Sequence, residues 1–154
     1  MSAVRQRPSG KIARRRSAGE GRHASPVAFV QPAPRAFSTG SPSQRQGHAA
    51  ETRALDLLLA HGLRPVTRNA GMRVGEIDLV MRDADEWVFI EVRSRRGAGF
   101  GGAAGSVTAV KQARLRRAAQ TYLLQVFGQR QWPPCRFDVV AIEGERIEWI
   151  RAAF

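Results

Sequence analysis

The chain has one cysteine, Cys135, so no internal disulfide can form and nothing marks it for an oxidising compartment. Its three histidines, His23, His48 and His61, are scattered, and no Cys/His spacing suggests zinc. No apolar run approaches the roughly 18 residues needed to span a bilayer, so no membrane contact is expected and a cytoplasmic protein is the default. Lysine is nearly missing: of 25 basic residues only Lys11 and Lys111 are lysine, the rest arginine. Acids are also few, 13 against those 25, which leaves a formal net charge of +12. That excess favours a polyanionic partner such as nucleic acid, with a solvated basic face as the plain alternative.

The charge is unevenly spread. Residues 1–46 carry nine Lys or Arg and one acid, Glu20, whereas 47–154 carry sixteen against twelve. The first segment is rich in Arg, Ser, Pro and Gly and has no sustained apolar period, so it is expected to be a disordered basic tail. Its composition suits a nucleic-acid-binding arm, an Arg- and Ser-rich transit peptide or a translation-start artefact. The domain is expected to span 47–154.

Within it the pattern predicts a helix over 48–61, with Glu51, Leu55 and Leu58 on one stripe and Gly62 as its stop. A short strand over 64–68 leads to a turn at Asn69-Ala70-Gly71. Strands over 73–82 and 86–94 form a hairpin. A glycine-rich loop, 97–105, then leads to Ser106 or Thr108 as cap of a helix over 108–127. Gly128 and Pro133-Pro134 end that helix, and strands over 136–142 and 146–151 close the chain. The order α-β-β-β-α-β-β predicts an α/β fold, a mixed sheet flanked by helices. The loop lacks the Gly-Lys-Ser/Thr ending of a P-loop, which excludes that mode of nucleotide binding; a segment that orders on a ligand is the expectation.

The two hairpin strands carry acids where apolar residues would be expected. Alternation puts Glu76 and Asp78 on one face with Val74 and Val80, opposite Ile77, Leu79 and Met81. On the next strand Trp87, Phe89, Glu91 and Arg93 share a face. Carboxylates from adjacent strands can thus converge, as Mg²⁺ requires, and Arg93 two residues after Glu91 aims a cation at the same phosphate. A solvent-facing sheet decorated with ion pairs is the alternative. Against it, acids embedded in such apolar strands are usually paired or metal-bound.

Glu51 should face the sheet, either pairing with Arg53 or Arg68 or completing the metal site. Lys111 shares a stripe with Leu115, Ala118 and Tyr122, so its ammonium can reach the carboxylates from the helix start; a snorkelling lysine is the alternative. Unlike arginine, a desolvated lysine can transfer a proton at neutral pH. Arg95 and Arg96, with Arg114, Arg116 and Arg117, suit phosphate contacts or a solvated face. Cys135 has no general-base partner in view, and Asp138 reads as structural, paired with Arg136 or an arginine of the long helix.

Together these residues resemble the YraN family of small bacterial endonuclease-like proteins. The resemblance covers about 47–154. It rests on the Asn69 turn, Gly75-Glu76-Ile77-Asp78-Leu79, Phe89-Ile90-Glu91-Val92, Val107-Thr108 with Lys111-Gln112, Arg136-Phe137-Asp138-Val139-Val140, and Ile147-Glu148-Trp149-Ile150. It implies a fold similar to Holliday junction resolvases and restriction endonucleases of the PD-(D/E)XK superfamily. Asp78 and Glu91 would be metal ligands for Mg²⁺ or Mn²⁺, with Glu51 the helix-borne acid. The superfamily has lysine where this chain has Arg93, which makes Lys111 the candidate to supply the ammonium. The implied activity is cleavage of branched or single-stranded DNA in recombination or repair, with a non-cleaving nucleic-acid-binding protein as the alternative. An RNA-processing factor also fits the charge but has no motif of its own. Resolvase-like enzymes cut two symmetric strands, so a homodimer is a further expectation.

Overall fold

A capping box starts the first helix. In the computed structural model, which describes residues 41–95 and 107–154, Ser41 Oγ accepts from Gln44 N–H at 3.3 Å. Gln44 Oε1 in turn accepts from Ser41 N–H at 2.8 Å. Pro42 sits in the first turn, where its missing N–H costs nothing. Helix α1 therefore runs Pro42–Ala60 and begins ahead of the expected start at 48, so residues 42–46 are helical. Ala50, Ala54 and Leu58 are its buried contacts, flanked by Glu51 and Leu55. Gly62, at φ +86°, takes the left-handed turn that ends it.

Five strands follow the expected order: β1 Arg64–Met72, β2 Gly75–Asp83, β3 Glu86–Arg95, then, after helix α2 (Ala109–Phe127), β4 Cys135–Glu143 and β5 Arg146–Ile150. They form one sheet in sequence order. All neighbours are antiparallel except β3 and β4, which run parallel and are joined through α2. Thr108 caps α2, accepting from Lys111 N–H at 3.3 Å, and Gly128 at φ +63° closes it.

Asn69-Ala70-Gly71 is not a turn. It lies inside β1, and the chain reverses at Arg73-Val74, between the paired Met72 and Gly75. The Asn signal was real but local: Asn69 holds φ +50° within the strand.

Each helix covers one side of the sheet. Leu115, Ala118, Ala119 and Leu123 of α2 pack on Ile77, Val80, Trp87, Phe89 and Val139. Ala50, Ala54 and Leu58 of α1 pack on Leu79, Met81, Val88, Ile90 and Val140. On the α2 side Phe137 stacks between Phe89 and Phe154, with ring centres 5.5 and 5.1 Å away. Arg116 lies over the Phe154 ring at 5.2 Å and is thus engaged in packing.

Among the described residues only Glu91 and Asp138 are buried charged groups. Asp138 is fully satisfied. It accepts from Arg136 Nε (3.1 and 3.2 Å), Trp149 Nε1 (3.0 Å) and Ala152 N–H (2.9 Å). Arg136 also donates to Glu86 and, at 2.9 Å, to Asp83. Burial alone would lower the Arg136 pKa, but these three carboxylates hold it above the ordinary value. The expected structural pairing of Asp138 with Arg136 is therefore what the fold contains.

Removing this carboxylate leaves Arg136, the Trp149 indole and a backbone N–H without their acceptor. Asp138→Ala should cost about 3–5 kcal/mol in urea denaturation, whereas Glu145→Ala, at an exposed pair with Arg53, should stay within about 0.5 kcal/mol. A loss below about 1 kcal/mol for Asp138→Ala would show that the network does not hold the strand ends together.

Candidate active site

The irregularity that builds the site is at Asp78. Ile77 packs on the α2 side while Leu79 packs on the α1 side, so the alternation expected to place Ile77, Leu79 and Met81 together breaks between them. The last β2–β3 pair here is Leu79 with Ile90. Beyond it, Val92 N–H donates to Asp78 Oδ2 at 2.7 Å. A side-chain carboxylate thus replaces a main-chain acceptor, and the two strands part. Glu76 does not share the site: it is exposed and absent from the cleft lining.

The parting opens a cleft of about 460 Å³ between α1 and the ends of β2 and β3. Glu51, Asp78, Glu91 and Arg93 line it together, with Ser43, Gln46, Gly47, Ala50, Val92 and Ser94. Of these, Ser43 and Gln46 fall in the segment assigned to the tail; the Ser-x-x-Gln capping signature beginning at Ser41 was the signal that could have found them.

Glu91 is 4% exposed. Lys111 Nζ stands 3.1 Å from its Oε2 and Arg93 NH1 3.6 Å from its Oε1. Even so, Oε2 accepts no well-formed hydrogen bond. Lys111 thus reaches the carboxylates as the helical stripe predicts. Its position runs against the helix dipole, which favours cations at the other end, and the first turn of α2 holds no acid to offset it. Glu91 supplies that compensation from β3.

Asp78 is pushed up to about 7, first by burial and then by the nearby charge of Glu91; the Val92 N–H and Lys111 work the other way. Glu51 is engaged locally. Its Oε2 accepts from Asn69 Nδ2 at 3.1 Å, with His48 and Arg68 at 3.6 and 3.7 Å. Arg68, not Arg53, is its arginine: Arg53 donates to Gly144 O at 2.7 Å. Asn69, missed as a contributor, lies opposite Asp78 between the pairs Arg68–Leu79 and Ala70–Ile77.

Arg114 and Arg117 are exposed on α2, one and two steps along the i+3 row from Lys111. Arg95 ends β3, while Arg96 and the glycine-rich loop lie outside the described residues. No three His, Cys, Asp or Glu already stand together to hold a metal, among the described residues. The donor set nevertheless fits Mg²⁺ or Mn²⁺. Mg²⁺ takes one or two carboxylates and fills its remaining positions with water and phosphate, and Asp78 and Glu91 bring two carboxylates to one cleft.

The raised Asp78 pKa fixes a pH dependence. The folded state binds its proton more tightly than the unfolded chain, so metal-free stability is highest below about pH 4 for this group and falls as pH rises toward 7. Asp78→Asn keeps an acceptor for Val92 N–H without the charge. In EDTA it should be about 2–4 kcal/mol more stable than the native chain at pH 8 and nearly equal at pH 4. A difference independent of pH would refute the assignment.

A family model described as uncharacterised protein family UPF0102 matches residues 50–142. A UPF0102 protein of Bordetella parapertussis is 52% identical over 86% of this chain and 76% of its own length. One from Bordetella petrii is 47% identical over 98% and 91%, and one from Pseudomonas putida 50% over 70% and 91%. On that extent of likeness the chain belongs to the UPF0102 (YraN) family.

Proposed function

We propose that this protein is a metal-dependent endonuclease that hydrolyses phosphodiester bonds in branched or single-stranded DNA. The observation that carries the reading is the pairing of two carboxylates in one cleft: Glu91, 4% exposed, and Asp78 line it together. The charge of Glu91 helps to push Asp78 up to about 7 even with Lys111 and Arg93 beside Glu91, a repulsion that a divalent cation would relieve.

Asp78 and Glu91 would hold Mg²⁺ or Mn²⁺, and the ion when bound would polarise the phosphate and lower the pKa of the attacking water. Glu51, fixed by Asn69 and Arg68, would complete the acidic wall and orient water. Lys111 and Arg93 flank Glu91 and would place their charge on the phosphate oxygens as negative charge builds there. Arg114 and Arg117, with Arg95 and Arg96, would follow the backbone without reading sequence. Among the described residues no helix is long and apolar enough to cross a membrane.

The Lys111–Glu91 contact at 3.1 Å favours a second reading. It neutralises the buried acid without any metal, as a protein that binds nucleic acid and does not cut it would require.

The full chain should be offered four-way junction, flap, single-stranded and duplex DNA with Mg²⁺, Mn²⁺ or EDTA. Metal-dependent cleavage is expected, reduced about 100-fold or more in Asp78→Asn, Glu91→Gln and Lys111→Ala. Binding without cleavage, unchanged in these variants, would establish the second reading.

A further inference from the structure

Gly47 is a glycine that the fold does not need. It lies inside α1, past the first turn, where glycine is less favourable than alanine. Its φ is not in the left-handed region, so the backbone does not require it. A Cβ built there meets no atom within 4 Å, so packing does not require it either. Ala50 and Ala54, one and two turns on, are small because the sheet lies against them. Gly47 continues that stripe beyond the sheet, and what it faces is the cleft.

We infer that Gly47 is a clearance position, where the sugar–phosphate backbone of the strand to be cut passes against α1 to reach Asp78 and Glu91. The inference rests on the nuclease reading and deepens it by fixing the side from which substrate enters. Two features of the cleft bear on a ligand at this spot. Asp78 and Glu91, the latter paired with Lys111 at 3.1 Å, line the same cleft from the sheet side. Gln46, beside Gly47 on the lining, is half-buried, and its amide can donate to a phosphate oxygen. Neither conformation nor packing within the chain accounts for the missing side chain, so room for a ligand does. Close approach of a backbone is a recurrent use of glycine.

The test separates stability from binding, because the inference predicts opposite signs for them. Gly47→Ala, Gly47→Leu and the exposed control Ala49→Leu are made in the full chain. Melting temperature is measured in EDTA. Affinity is measured for a fluorescein-labelled single strand and four-way junction in EDTA and in Ca²⁺, and KM and kcat where cleavage occurs. Gly47→Ala should melt about 2–5 °C higher than the native chain yet bind DNA about 3-fold more weakly. Gly47→Leu should melt no lower than the native chain and lose 10-fold or more in affinity. Its KM should rise while kcat at saturation changes little, and Ala49→Leu should match the native chain throughout. Native DNA affinity in Gly47→Leu would overturn this inference and leave the nuclease reading standing. Failure of the native chain to bind any of these DNAs would overturn both.

Discussion

The structure is organised around one buried carboxylate that a fold of this size would ordinarily avoid. Glu91 stands in the middle strand of a five-stranded sheet, on the α2 side with Trp87 and Phe89. Its charge is tolerable because Lys111 comes within 3.1 Å, and Lys111 is there because α2 is capped at Thr108, three residues earlier. The α2 crossover that makes β3 and β4 parallel therefore also supplies the countercharge. Asp138 shows the other solution to the same problem: every oxygen has donors, and the group does nothing but hold strand ends. The two buried acids differ in one respect that matters, since Asp138 is saturated with hydrogen bonds and Glu91 has an oxygen without one.

That difference extends to Asp78. Satisfying Val92 N–H with a side chain parts β2 from β3, which opens the cleft and exposes the Asp78 carboxylate to the field of Glu91. The same bond draws the Asp78 pKa down, against the larger upward push of burial and then of the Glu91 charge. Glu51, reaching down from α1, adds to the same negative field, while its own charge is offset by Arg68 and Asn69. The cleft is accordingly an acidic pocket at the foot of a basic helix ridge.

Much of this was legible in the sequence. The element order, both helix stops and the convergence of Asp78, Glu91 and Lys111 follow from periodicity, glycine placement and the isolation of one lysine. The failures have local physical causes. Alternation assigned Ile77 to the face of Leu79, because a period of two cannot anticipate a side chain replacing a ladder hydrogen bond at Asp78. Asn69 was read as a turn because Asn favours positive φ, and a single left-handed residue inside a strand carries the same signal. The start of α1 was placed late because residues 42–46 are polar; there the helix is set by capping, not by burial. Gly47 fell at the edge of that segment, and its meaning depends on an empty volume that no sequence period records.

A metal-dependent nuclease site requires that Asp78 and Glu91 together bind a divalent cation. Titrating the full chain with Mn²⁺ and following free ion by electron paramagnetic resonance measures this without reference to any substrate. A saturable site at neutral pH, lost in Asp78→Asn and in Glu91→Gln and displaced by Mg²⁺, is the predicted result. Absence of a saturable site, or a site that both variants retain, would contradict it.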